Sequence, residues 1–129
     1  MMMKGLLLFA HGARDPRWAD PFYAVAERIR ARAPDCAVEL AFLEFMAPDL
    51  TEAGVRLAEA GCTRIDVVPL FLGAGGHVRR DLPVLVDALR ARFPATRWNI
   101  QAAVGEAGAV IDAMAETALA GVGRSQLLE

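Results

Sequence analysis

The chain has only two histidines, and each of them is adjacent to a glycine. His11 follows the apolar run at residues 5–10, and His77 follows the glycine-rich segment 73–76. Glu44 ends another largely apolar stretch and could add a carboxylate ligand. Two imidazoles and a carboxylate suit Co²⁺, Fe²⁺, Ni²⁺ or Zn²⁺ better than Ca²⁺ or Mg²⁺. A neutral imidazole also accepts a proton near pH 7. We therefore predict a transition-metal site formed by His11, His77 and Glu44.

The elements that must position these residues alternate between strand and helix. A continuous apolar run predicts a strand at residues 5–10, and largely apolar stretches predict further strands at 37–44, 65–72 and 98–104. Helical spacing predicts a first helix from an N-cap at Asp20 to just before Pro34, and further helices at 48–61, 81–93 and 106–120. Such alternation predicts an α/β fold, with a parallel sheet that carries helices on both faces. The commonest doubly wound arrangement gives the strand order 2-1-3-4.

In that order the carboxyl ends of strands one and three open a crevice where ligands usually bind. His11 would follow strand one directly, His77 would lie in the loop after strand three, and Glu44 would close strand two at the same edge. We therefore expect the three side chains to converge. For each histidine the plainer alternative is a hydrogen bond that caps a loop, and for Glu44 it is a solvated carboxylate.

Glycines and arginines surround both histidines. The segments after His11 and before His77, which include Gly75 and Gly76, could hold an anion on backbone N–H groups. No Walker-type lysine follows either segment, so a nucleotide site is disfavoured. The plainer interpretation is a mobile loop with room for a bulky flat ligand. Four nearby arginines could pair with carboxylates or could simply form a solvated face: Arg14, Arg17, Arg79 and Arg80.

Length and composition limit the alternatives. The 129 residues fit a single domain, 1–129, with an ordered core at about 4–120. A net charge of -2 gives no strongly basic field for nucleic acid or an anionic membrane. The residues before His11 are too few for a signal peptide, and Cys36 and Cys62 make no disulfide framework. We expect a cytoplasmic protein in which both cysteines are small buried residues and Phe71 lies in the core.

Three motifs together resemble the class II tetrapyrrole chelatases, in particular the small form of the sirohydrochlorin cobaltochelatase family. They are FAHGAR at 9–14, FLE at 42–44, and VPLFL at 68–72 followed by GHVRRDLP at 76–83. The resemblance covers roughly residues 4–120. It implies a flavodoxin-like half-unit that forms a homodimer, with the tetrapyrrole held between or beside the subunits. It also implies that His11 and His77 bind metal and act in catalysis, and that Glu44 matches a carboxylate ligand of some relatives. Ala13 stands where relatives usually carry serine, so a hydroxyl donor is missing near His11.

The expected activity is the insertion of a divalent metal, Co²⁺ first, into sirohydrochlorin during cobalamin-type tetrapyrrole biosynthesis. The metal ion and the tetrapyrrole are both substrates, so no organic cofactor is expected. Iron or nickel insertion into the same macrocycle remains open, as does a carrier that binds metal or tetrapyrrole without turnover. A flavodoxin-like binder of phosphate or nucleotide is a third alternative.

Overall fold

The computed structural model describes residues 3–73 and 75–128, with side chains described as far as residue 123. Ala74, which belongs to the predicted loop before His77, lies outside the described residues. The strands are β1 (Met3–Ala10), β2 (Ala37–Phe42), β3 (Cys62–Pro69) and β4 (Arg97–Ile100). The helices are α1 (Asp20–Arg32), α2 (Leu50–Glu59), α3 (Gly76–Arg92) and α4 (Gly108–Leu128).

All strand pairs are parallel, and the sheet has the order β2-β1-β3-β4. The predicted α/β fold and strand order are therefore confirmed. β1 is hydrogen-bonded on both sides, with Phe9 opposite Ala41 of β2 and opposite Pro69 of β3. A central parallel strand is covered on both faces, which explains the unbroken apolar run of β1.

Side chains that alternate along β1 feed two separate cores. Leu7 and Phe9 point to the side of α2 and α3 and pack with Leu82 and Val86 of α3, among others. Leu8 and Ala10 point to the opposite side and join a second cluster that includes Ala26 of α1, as well as Leu40 and Phe42 of β2. Because both faces of β1 are buried, its carboxyl end is held firmly in place.

Two element boundaries near the predicted site differ from the prediction. β2 ends at Phe42, two residues before Glu44, and α3 begins at Gly76, five residues before Asp81. The second error arises from Pro83, which the sequence places in the first turn of the helix. Pro83 instead lies inside α3, and the N-cap is Gly75, whose backbone is extended at φ -71 and ψ 166.

The first and last helices are also preceded by short 3-10 turns. A turn at Pro16–Ala19 makes Asp20 the first residue of α1, so Asp20 is not the predicted N-cap. A turn at Val104–Glu106 places Glu106 before α4, which runs from Gly108 to Leu128 instead of over 106–120. Within the described residues, α4 makes its substantial contacts with this turn. It leaves apolar side chains exposed, by 42% at Met114 and 70% at Leu119.

Cys36 and Cys62 are both free thiols, and β1 lies between their strands as predicted. Cys62 is buried as expected, whereas Cys36 is only half-buried. Burial raises the pKa of both thiols. None of the helices in the described part of the chain combines the length and the apolar character needed to span a bilayer.

Candidate functional site

His11 is the first residue after β1 and is held by neighbours on both sides. Its carbonyl oxygen accepts a hydrogen bond of 3.0 Å from the Glu44 backbone, and the Phe9 carbonyl accepts one of 2.8 Å from the Leu70 backbone. The imidazole lies on the ring of Phe71, with 4.5 Å between ring centroids and 45° between planes. Phe71 is only 3% exposed, whereas His11 is exposed. The imidazole therefore has a fixed aromatic wall on one side and solvent access on the other.

Gly12 explains how the loop after β1 approaches the loop after β2 so closely. Its φ is +86, in the left-handed region that favours glycine. A Cβ at this position would overlap the carbonyl oxygen of Glu44. The residue after His11 must therefore be glycine for steric reasons, whether or not its N–H group also holds an anion.

Glu44 does not close β2 as predicted, because it lies in the loop beyond Phe42. Its backbone is nevertheless next to His11, since its N–H donates to the His11 carbonyl. The Glu44 side chain is exposed, and the following residue, Phe45, has a positive φ of 66. This bend comes directly after the hydrogen bond between the Glu44 and His11 backbones. The role of Glu44 as a metal ligand stays a prediction.

His77 does not lie in a loop but is the second residue of α3. It is exposed. A Cβ added at Gly75 or Gly76, just before it, would meet no atom within 4 Å. Because β3 is adjacent to β1 and parallel to it, the start of α3 lies at the same edge of the sheet as His11. The first-turn N–H groups of a helix have no partner within the helix and can hold anions there.

The predicted ligands are not gathered into a finished metal cage. Among the described residues, no group of three or more His, Cys, Asp or Glu side chains is placed to hold a metal ion. The metal set of His11, His77 and Glu44, and the catalytic assignment of both histidines, stay predictions.

The four predicted substrate-binding arginines are all exposed but have different partners. The Arg14 guanidinium lies 5.1 Å from the centre of the Phe45 ring. Arg17 pairs with Asp15 at 3.0 Å and holds the pKa of that carboxyl below its usual range. Arg79 and Arg80 belong to the first turns of α3 and not to a loop. There Arg79 approaches Glu106 at 4.0 Å, and Arg80 donates to the Gly76 carbonyl at 3.3 Å.

A cavity of about 230 Å³ adjoins this edge between α3 and the end of β4. Its walls are mainly apolar and include Pro69, Val78 and Leu82, while Arg79 and Glu106 add charge. Glu106 was expected only at the start of the last helix and not among the candidate site residues. Its position directly after the fourth predicted strand, at the ligand-binding edge, is the signal that could have found it.

Comparison with known proteins places this arrangement in a family. The family profile named CbiX matches residues 5–119 of the chain. The chain belongs to the CbiX family. This confirms the resemblance to the small chelatases that the motifs around His11 and His77 indicated.

Individual CbiX relatives agree with this result. A sirohydrochlorin cobaltochelatase from Sulfurisphaera tokodaii is 38% identical over 88 residues, which are 68% of this chain and 72% of that protein. The solved structure of a cobalamin (vitamin B12) biosynthesis CbiX protein from Marinobacter aquaeolei VT8 has a TM-score of 0.81 and 28% identity. That comparison covers 94% of this chain and 98% of the other.

Longer CbiX-related proteins contain a comparable unit. The sirohydrochlorin chelatase SirB from Bacillus subtilis subspecies spizizenii, solved in complex with cobalt, has a TM-score of 0.69 and 27% identity. That comparison covers 77% of this chain but 42% of SirB. The chain also spans less than two thirds of three further curated sirohydrochlorin cobaltochelatases, which it matches over 58–64% of their length.

Proposed function

We propose that this CbiX-family chain inserts a divalent metal ion, Co²⁺ first, into sirohydrochlorin in cobalamin-type tetrapyrrole biosynthesis. One observation carries the proposal: His11 and the helix turn that bears His77 follow adjacent parallel strands at the same edge of the sheet. The relatives named as sirohydrochlorin cobaltochelatases support the same reaction.

The reaction exchanges two pyrrole protons for the metal ion. M²⁺ and the free macrocycle give the metallated macrocycle and two H⁺, so the protein must hold a partly dehydrated ion and provide proton acceptors. In this proposal His11 and His77 bind the ion through imidazole nitrogens and take up protons as it leaves them for the macrocycle. Glu44, whose backbone adjoins His11, supplies a carboxylate ligand that partly neutralises the charge of the ion.

The surroundings of the histidines suit a flat ligand with acidic substituents. Phe45 and Leu72 are 59% and 70% exposed at the edge of the sheet and offer apolar contact. Gly75 and Gly76 leave open space at the start of α3. Arginine pairs well with carboxylates. We therefore propose that the carboxylates of the macrocycle bind the arginines around this edge: Arg14, Arg17, Arg79 and Arg80.

The physiological metal is the finer part of the proposal. Imidazole and carboxylate ligands accept several first-row ions. SirB structures contain cobalt in one case and Fe³⁺ in another. Co²⁺ is our first choice because relatives that are 38% and 42% identical carry the name cobaltochelatase, and iron and nickel insertion are the alternatives. The proposed reaction needs no organic cofactor because both reactants are substrates.

We further propose that the chain works as a homodimer and that α4 forms the contact. Between residues 108 and 123, α4 carries only two charges, Asp112 and Glu116. At 100° per residue Met114 lies about 160° from both charges, and Ile111 and Val122 lie within about 80° of Met114. These three apolar side chains form a stripe and are exposed by 42–55%. Apolar helix faces of this kind are normally buried. SirB is long enough to hold a second unit of this size, which supports a second copy as the partner.

The α4 contact can be tested with two glutamates on opposite faces. Met114→Glu places a charge in the apolar stripe, whereas Ala113→Glu places the same charge on the polar side and is the matched control. Light scattering over a concentration series should give a dimer for the wild type and for Ala113→Glu, and mainly monomer for Met114→Glu. A wild-type monomer would contradict the homodimer. A Met114→Glu dimer of unchanged affinity would contradict only the α4 contact.

The absorbance spectrum of sirohydrochlorin tests the activity directly. With Co²⁺ in excess, the metallated spectrum should form faster with protein than without, over many turnovers. We expect His11→Ala and His77→Ala to lower this rate by about 100-fold or more, a typical loss for an acid–base group. Arg56→Ala on α2 is the control, since Arg56 lies on another helix and pairs weakly with Glu39 at 3.9 Å. A spectral change that stops at one equivalent of protein would indicate a carrier and contradict the enzyme.

The reaction is proposed to take place in the cytoplasm. Two free cysteines fit a reducing compartment, where thiols stay reduced.

A further inference from the structure

Phe71 follows β3 and is one of the most constrained side chains near the candidate site. It is 3% exposed and meets Phe9 of β1 edge to face, with 5.8 Å between ring centroids and 67° between planes. Its backbone carbonyl accepts a hydrogen bond of 2.9 Å from Gly105. The Phe71 ring is therefore packed against the core, and the Phe71 backbone is held by the turn after β4.

The His11 imidazole lies on the Phe71 ring, which is its one aromatic contact within the described residues. The described residues provide no hydrogen-bond partner for its two ring nitrogens. Metal-binding histidines usually have their ring orientation set by a hydrogen bond from the second nitrogen to a carboxylate or carbonyl. Here the His11 ring is instead restricted by its contact with Phe71, at 4.5 Å between ring centroids.

We propose that Phe71 is a positioning residue for His11, holding the imidazole in the orientation in which it receives the metal ion. This inference rests on the proposed metal-inserting function. Phe71 itself touches neither ion nor macrocycle in this account. It acts by excluding the side-chain rotamers of His11 that would turn the ring away from the carboxyl edge, so that less freedom is lost when the ion binds.

The size of the effect follows from the kind of contact. Aromatic pairs contribute modestly beyond their buried area, which corresponds to a change of about 2- to 10-fold in an equilibrium constant. We therefore expect Phe71→Leu to weaken Co²⁺ binding by about that factor and to raise the KM for the metal. kcat should change less, because the imidazole can still accept a proton once the ion is bound.

A matched control separates positioning from general loss of packing. Phe42→Leu removes an equally large ring that is 1% exposed but belongs to the other core cluster, where it contacts Tyr23. Both variants should lose stability, but only Phe71→Leu should move the proton resonances of the His11 ring, which the ring current of Phe71 displaces in the wild type. With two histidines in the chain, His11→Ala assigns these resonances.

Calorimetric Co²⁺ titration and nuclear magnetic resonance spectra of the same samples decide the matter. The inference is supported if Phe71→Leu weakens Co²⁺ binding and shifts the His11 resonances, while Phe42→Leu does neither. It is overturned if the two variants bind Co²⁺ alike. Should Phe71→Leu fail to fold, the wild type still provides a test, because absence of nuclear Overhauser contacts between His11 and Phe71 would overturn it. If His11→Ala binds Co²⁺ as the wild type does, the proposed function itself fails, even where the ring contact is present.

Discussion

The two histidines of this CbiX-family chain lie at one edge of the sheet but in very different surroundings. His11 follows a strand that is paired on both sides and buried on both faces, and its ring rests on Phe71. His77 lies in the first turn of a helix, after glycines with open space around them. A fixed imidazole and a more adjustable one suit an ion that must be bound and then released. From this contrast we propose that His11 defines the position of the metal and that His77 adapts to the macrocycle.

The largest expected effect on stability comes from disturbing the loop after β1, next to His11. Gly12→Ala adds a Cβ that overlaps the Glu44 carbonyl oxygen, at a φ of +86 that alanine rarely adopts. We expect a loss of about 2–4 kcal/mol in the free energy of unfolding from strain and overpacking together. Denaturant unfolding measures this loss, and metal insertion should fall with it because the loop next to His11 must move. Wild-type stability in Gly12→Ala would contradict the close approach of the two loops.

A smaller effect is expected where the loop after β4 contacts the loop after β3. A Cβ at Gly105 would overlap the backbone of Leu72, but no left-handed φ is involved. Gly105→Ala should therefore cost about 1–3 kcal/mol, the usual range for overpacking. Unfolding of Gly105→Ala and Gly12→Ala under the same conditions compares the two positions. A larger loss for Gly105→Ala would contradict the greater backbone constraint at Gly12.

Two of the arginines near the site also differ in how firmly they are held by their neighbours. Arg17 is already paired with Asp15, and the lowered pKa of this carboxyl keeps the pair charged even below the usual pH range of aspartate ionisation. Among the described residues Arg14 has the Phe45 ring as its one partner, and it is freer to bind a carboxylate. Arg14→Ala should raise the KM for sirohydrochlorin about 5-fold, and Arg17→Ala less than about 2-fold, as expected for exposed charge pairs. Steady-state kinetics in low salt measures both, and the reverse order would contradict this distinction.

The smallest effect on stability is expected at the start of α3, next to His77, where a substitution should stabilise the protein. Gly76 is the first residue of α3, and an added Cβ there would meet no atom within 4 Å. Gly76→Ala should stabilise the fold by about 0.4–1 kcal/mol, because alanine has less freedom in the unfolded chain. If Gly76 leaves room for the macrocycle, the KM for sirohydrochlorin should rise at the same time. A destabilised Gly76→Ala would contradict the description of this segment as open.

The sequence was sufficient to predict what depends on apolar patterning. The alternation of apolar strands with amphipathic helices led, through the commonest doubly wound arrangement, to the correct strand order, and that order placed the segments that carry His11 and His77 at one edge. Pro83 misled the prediction of α3, because a proline usually marks the first turn of a helix but here lies inside it. This error moved His77 from a helix into a loop.

Contacts between distant segments could not be predicted from local pattern. Phe71 was correctly expected in the core, but its contact with His11 depends on the register of two strands and on a side-chain rotamer. The need for glycine at position 12 depends on the Glu44 carbonyl, 32 residues away in the chain. Glu106 was missed because the 3-10 turn before α4 resembles the start of the helix in sequence.

The most direct test of the account is the location of Co²⁺ bound to the protein. Anomalous scattering at the cobalt edge, recorded from crystals soaked with Co²⁺, gives the position of the ion independently of any assumption about the site. We predict one ion at the carboxyl edge of the sheet, about 2 Å from an imidazole nitrogen of His11 and from one of His77, within one subunit or across a dimer. An ion bound elsewhere, or one that neither histidine reaches, would contradict the central claim.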